Sequence, residues 1–162
     1  MLRGLEFLKS LPEWDGKRLF IRGSSQGGAQ AIAGAYLDQD VTGFIATVPG
    51  FCDHTAATIG RVPGWPIVAP LEIGKKPDPK IIECMRYYDS VNFLKNTKAV
   101  GFFSASLLDT VCKPTSIYVA YNAHRAYHVM IHQPYLAHAN ADETITKSYE
   151  FMWEHFNKLK NG

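Results

Sequence analysis

Three side chains in this sequence carry the elements of acyl-transfer chemistry: Ser25, Asp109 and His138. A serine hydroxyl is a weak nucleophile at neutral pH and needs a base within hydrogen-bond reach. Imidazole, with an ordinary pKa of about 6.5, suits that task. A carboxylate behind the imidazole fixes its tautomer and steadies the imidazolium that forms. The serine lies in Gly23-Ser24-Ser25-Gln26-Gly27-Gly28, a Gly-x-Ser-x-Gly pattern. Glycine and serine clusters are common turns, so the pattern has force only where a strand leads in and a helix leads out.

Both flanks are present. Leu19-Phe20-Ile21 is a short apolar run, and Ala29 to Tyr36 is dense in small, helix-compatible residues. A strand, a tight turn and a helix are expected, with Gly23 and Gly27 lacking a Cβ so that strand and helix can approach. That turn would lift the Ser25 hydroxyl clear of the sheet and aim the Gln26 backbone N–H at an oxygen developing negative charge, as half of an oxyanion hole.

The rest of the chain reads as the frame for these groups. Leu2, Leu5, Leu8 and Leu11 predict a short helix ending before Pro12. Arg18 to Arg22, Val41 to Val48, Ala99 to Ala105 and Val129 to His132 read as four strands, apolar enough for a parallel sheet buried on both faces. Between them fall helices opening at Asp78-Pro79, with Ile82, Met85 and Tyr88 inward, and at Lys113-Pro114-Thr115. A closing helix over Ile145 to Leu159 turns Tyr149, Met152, Trp153 and Phe156 inward. Alternating strands and helices argue for one α/β domain over residues 1–162. From Phe51 to Pro79 the sequence is proline-rich and aperiodic. A loop that long in a compact domain is usually functional, and it is read as a pocket wall or partial lid, with Phe51, Cys52 and Trp65 as candidate substrate contacts.

Ser25, Asp109 and His138 each fall just past the end of their own strand, where sites on open α/β sheets form. Other histidines sit elsewhere: His124 and His128 on or beside a helix, His132 within a strand, His54 in the long loop and His155 on the last helix. Asp89 reads as a helix cap, and Asp53 and Asp142 are weaker rivals for the acid.

At 162 residues, with 46% apolar and 20% charged residues, the chain has an ordinary globular composition. A net charge of +2 without a Lys/Arg block speaks against nucleic acid as a partner. No run is long and apolar enough to span a membrane. The start lacks a secretory signal pattern, and Cys52, Cys84 and Cys112 match neither a disulfide framework nor a zinc site. These features lean cytoplasmic.

The sequence also resembles a known family. The elbow with Asp40-Val41-Thr42-Gly43 beyond it, Tyr87-Tyr88-Asp89-Ser90-Val91-Asn92-Phe93, Leu108-Asp109-Thr110-Val111 with Pro114, and Tyr118-Val119-Ala120-Tyr121-Asn122 are similar to the acetyl xylan esterases that also deacetylate cephalosporin C, carbohydrate esterase family 7. The likeness runs from about Leu5 to the end. It implies an α/β hydrolase with a Ser25–His138–Asp109 triad that removes acetyl groups from small carbohydrates or xylo-oligosaccharides, without metal or cofactor. Ala139 stands where members follow the catalytic histidine with a glutamate. Members also carry an Arg-Gly-Gln motif and several strands ahead of the elbow, so the chain is expected to be the C-terminal portion of the fold. The second oxyanion donor normally comes from a loop ahead of the elbow, which this chain does not contain. An unpaired Arg18 to Arg22 edge would invite another chain, so a homo-oligomer or association through strand 18–22, or a longer parent protein, is expected.

Overall fold

The structure, a computed structural model, describes residues 1–69 and 76–161. Four strands form one parallel sheet in the order β1-β2-β3-β4: β1 (Phe20–Ser24), β2 (Gly43–Thr47), β3 (Val100–Ser106) and β4 (His128–Gln133). Every strand end lies within two residues of the sequence-based range, with β1 shifted two residues toward the C-terminus at both ends.

Each crossover steps to the next strand in the same direction. Right-handed connections of that kind place their helices on a single face of the sheet. Accordingly α2 (Gln26–Leu37) joins β1 to β2, α3 (Pro79–Arg86) and α4 (Ser90–Leu94) lie between β2 and β3, and α5 (Pro114–Ala123) joins β3 to β4. The core on this face contains Ile32, Ala35, Phe44, Leu94, Phe103 and Ala120, with Leu5 of α1 (Leu2–Ser10) at its margin. The opposite face is covered by α6 (Asp142–Asn161), whose Phe151 packs with Ile45 and Phe102. Strand alternation explains the division: neighbouring Phe102 and Phe103 point into opposite layers.

Several inward faces differ from expectation. In α1 only Leu5 is buried, and Leu2 and Leu8 are exposed. In α6 the buried residues are Thr144, Ser148 and Phe151, whereas Tyr149 and Trp153 are exposed. Tyr88 lies beyond α3 and is exposed, leaving Met85 as that helix's buried contact. These helices touch the sheet over a narrower stripe than the periodicity implies, so residues at its margins face solvent.

The long connection after β2 is partly ordered by a 3₁₀ turn, His54–Ile59, and by Trp65, whose ring stands edge-on to Phe51 at 5.6 Å. The lid reading of this segment includes residues 70–75, which lie outside the described residues. Among the described residues no helix is long and apolar enough to cross a membrane.

Candidate active site

Ser25 lies between the last residue of β1 and the first of α2, with φ 56° and ψ −120°. That conformation is strained for a residue with a Cβ and persists only where its surroundings hold it. Two bonds do so: Ser25 N–H donates to Thr47 O at 2.9 Å, and Gly50 N–H donates to Ser25 O at 3.0 Å. A Cβ on Gly23 would overlap the Gly27 carbonyl, so glycine is required there. Gly27 was expected to share that requirement, but the space around its own Cβ position is open. The close approach runs from Gly23 to the backbone of Gly27, which constrains one partner of the pair. Gly28 is the second tight position, where a Cβ would lie 3.2 Å from Pro49 Cα.

His138 bridges the other two side chains. Its Nε2 is 2.8 Å from Ser25 Oγ and its Nδ1 is 2.7 Å from Asp109 Oδ2. The Asp109 side chain is fully buried. Its second oxygen accepts N–H bonds from Val111 at 2.8 Å and Cys112 at 2.9 Å, so the charge is compensated on both sides. Gln26 opens α2, and the first amides of a helix have no intrahelical acceptor. Among the described residues its N–H has no backbone acceptor outside the helix.

The loop carrying His138 is held by groups that sequence reasoning did not single out. Gln133, at the end of β4 and buried, donates to Ser106 Oγ at 2.9 Å and Ala139 O at 3.2 Å. Its Oε1 accepts from Ala141 N at 2.7 Å and Thr144 Oγ1 at 2.9 Å. Ser106 Oγ also donates to Ala139 O at 2.9 Å. Asn140 donates to Ser24 Oγ at 3.1 Å and accepts from Ser104 Oγ at 3.1 Å, tying the loop to β1 and β3. The available signal was a glutamine closing a strand that is apolar from Val129 to Ile131, followed within ten residues by the histidine.

The remaining candidates are dispersed. His124 is buried against the carbonyls of Leu94 and Ala99, His132 stacks on Tyr118, and His54 is buried in the long connection. Asp89 caps α4 through Val91 N–H, and Asp53 pairs with Arg61 at 2.7 Å. Phe51 adjoins the elbow through Gly50, with Trp65 packed behind it. Cys52 is in the core, 1% exposed, with its thiol against the Gly50 carbonyl. It presents no surface to a substrate. Cys112 lies closer to the chemistry, its Sγ 3.9 Å from Ser25 Oγ. Burial pushes that thiol up to about 11, so it is protonated at neutral pH and packs as a small apolar group.

The family model described as "Acetyl xylan esterase (AXE1)" matches residues 1–155. The chain belongs to the acetyl xylan esterase family. It is 34% identical over 143 residues to the acetyl esterase Axe7A of Xylanibacter ruminicola, an alignment covering 88% of this chain and 32% of that protein. Among solved structures, the acetyl xylan esterase of Paenibacillus sp. R4 is similar with a TM-score of 0.80 and 25% identity, over 94% of this chain and 50% of that one. Acetyl xylan esterase 1 of Thermoanaerobacterium sp. JW/SL YS485 shares the fold with a TM-score of 0.78 at 22% identity, over 92% and 49%. The chain thus spans half or less of the length of these family members. Its sheet and flanking helices are those of an α/β hydrolase.

Proposed function

We propose that the chain carries the reaction centre of a serine esterase that removes acetyl groups from small carbohydrates or xylo-oligosaccharides. Ser25 Oγ attacks the acetyl carbonyl carbon while His138 Nε2 takes the hydroxyl proton. The carbonyl oxygen, now negative, accepts from the Gln26 N–H. Collapse expels the sugar alkoxide, which leaves with the proton held by His138. Water then attacks the acetyl-serine with His138 again as base, releasing acetate. Asp109 holds the Nδ1–H tautomer throughout. The observation that carries the reading is the single imidazole spanning a strained serine and a buried carboxylate at 2.8 and 2.7 Å. Family membership supplies the acetylated carbohydrate.

Fluorophosphonate labelling at Ser25, with acetate release from acetylated xylo-oligosaccharides, tests the proposal. Loss of both in Ser25→Ala is expected. Absence of labelling in folded wild-type protein would overturn it.

A second reading rests on the open side of β1. Ser25 N–H bonds β2, and backbone groups of successive strand residues point to alternate neighbours. Those of Phe20, Arg22 and Ser24 therefore face away from β2, along the edge expected from strand 18–22. In this reading the chain has weak or no activity alone and acts by self-association or with a partner chain. Failure to label, together with a concentration-dependent mass in sedimentation, would favour it.

A further inference from the structure

We propose that the groove beside Gln26 seats the sugar ring bearing the acetyl ester, with Tyr87 and Tyr88 as stacking surfaces and the Gln26 and Gln30 amides as polar partners. This assignment rests on the carbohydrate esterase reading above.

The groove encloses about 450 Å³ along the outer side of α2. That lies in the range of small-ligand sites, about 300–1,000 Å³, and greatly exceeds the space an acetyl methyl needs. One end is Gln26, the residue after the nucleophile, so a group attached to the reacting carbonyl can extend into it directly. Its aromatic lining is Phe51, Tyr87, Tyr88 and Phe93. Among the described residues no charged side chain lines it, which suits a neutral ligand. Gln26 and Gln30 are one helical turn apart on the same face of α2, so both amides border the groove.

The two tyrosines are exposed side chains on a hydrogen-bonded backbone. Tyr87 is 72% and Tyr88 58% accessible, and neither stacks on another aromatic ring among the described residues. Their backbone is fixed by bonds from Tyr87 N–H to Cys84 O at 3.1 Å and from Tyr88 N–H to Met85 O at 3.0 Å. The adjoining Asp89 carboxylate, 2% exposed, accepts from the backbone N–H groups of Asp53, His54 and Val91. Phe51 is held to the same turn by a Ser90 N–H bond to its carbonyl at 2.7 Å, and to Trp65 O by its own N–H at 2.6 Å. These bonds keep Phe51 at φ 52°, a strained value for a residue with a Cβ. Tyrosine side chains carried on a backbone held in this way have only two χ angles to order on binding. Their flat faces match the C–H face of a pyranose, whose equatorial hydroxyls are left for the glutamine amides.

The test has two arms. First, xylotriose without acetyl groups is titrated into the Ser25→Ala protein and followed by amide chemical shifts. Saturable shifts at Tyr87, Tyr88 and Gln30 are expected, and their loss is expected in a triple variant that also carries Tyr87→Ala and Tyr88→Ala. Second, kcat/KM is compared for acetylated xylotriose, methyl acetate and methyl hexanoate. In Tyr87→Ala/Tyr88→Ala the ratio of the sugar ester to methyl acetate should fall about tenfold or more, mainly through KM, equivalent to about 1.4 kcal/mol. Tyr87→Phe/Tyr88→Phe, which keeps the ring faces, should restore most of it. Absence of saturable shifts overturns the assignment, as does an unchanged sugar ratio. A fall confined to methyl hexanoate would mean that the groove takes an acyl chain, which also overturns it. If the wild-type chain hydrolyses none of the esters, the esterase reading fails, and the xylotriose shifts still decide the groove.

Discussion

On the β3–β4 side of Ser25 the polar groups that hold the base and acid are paired in the interior. Asp109 has two backbone donors besides His138, and Gln133 uses both ends of its amide on the loop that carries the histidine. On the β1 side, the strand delivering the serine has one neighbour among the described residues, and alternate peptide groups face outward. The contrast separates two requirements of acyl transfer. In the proposed reaction, proton handling would be preorganised by the described residues themselves, through hydrogen bonds already in place around His138 and a buried Asp109. For oxyanion stabilisation the proposed donor among the described residues is the Gln26 N–H, on the flank where the sheet is open.

The largest expected effects test the paired flank. Asp109→Asn keeps the shape of the side chain but presents an amide to Nδ1, favouring the wrong tautomer, and should lower kcat on methyl acetate by about 10⁴-fold. Ser25→Ala should lower it on the order of 10⁶-fold. A milder loss in Asp109→Asn, within tenfold of wild type, would mean that the buried carboxylate does not orient the base.

Gln133→Leu probes the same flank through its supports. It leaves the Ser106 and Thr144 hydroxyls and the Ala141 N–H short of partners, a cost of about 1–3 kcal/mol in urea unfolding. The relaxed His138 loop should lower kcat by up to about 10²-fold, the order expected for a displacement near 1 Å. The same stability loss with kcat unchanged would show that His138 is positioned without Gln133.

Much of the paired flank was legible in the sequence, because strand ends and chain order are local signals. Ser25, Asp109 and His138 each follow an apolar run, and a parallel sheet brings such ends to one edge. Gln133, Asn140 and Ser106 were not legible as a group. Their partnership depends on how a loop folds back across two strands, and no spacing encodes that. Cys52 and Cys112 show the same limit. The thiol close to the elbow in sequence is buried in the core, while the distant Cys112 lies beside Ser25. Sidedness failed in α6 and at Tyr88 because periodicity gives the direction of a helix face, whereas the width of its contact depends on what packs against it.

The open flank can be probed without disturbing the sheet, because Arg22 turns its N–H away from β2. Arg22→Pro removes an outward donor and no β1–β2 bond. It also removes the Arg22 contact with the Tyr149 ring at 4.8 Å, so Arg22→Ala serves as the control for side-chain loss. If β1 pairs with another chain, the proline should shift sedimentation toward monomer beyond the shift in Arg22→Ala. The effect is expected to be a severalfold weaker association, smaller than the catalytic losses above. Identical sedimentation of the two variants would exclude that edge as the interface.

The smallest effect separates His138, the proposed base, from the buried histidines. His138 is part-exposed, whereas His54 and His124 are almost wholly buried, and desolvation lowers the pKa of both. In the folded chain they stay neutral below the pH at which free imidazole protonates, while the unfolded chain takes up protons there. Their contribution to stability is therefore complete above a pH of about 6.5 and declines as pH falls below it. The slope is at most about 1.4 kcal/mol per pH unit for each proton taken up on unfolding. Urea midpoints at pH 7.5 and 5.5, above the ordinary carboxylate range, should show the decline. His124→Gln keeps an N–H for the Ala99 carbonyl, which His124 Nε2 approaches to 3.0 Å, but does not titrate. It should flatten the pH dependence while leaving the pH profile of methyl acetate hydrolysis in place. An equal decline in wild type and variant would mean that His124 takes up its proton within the fold, and that burial on this side of the sheet is looser than its packing indicates.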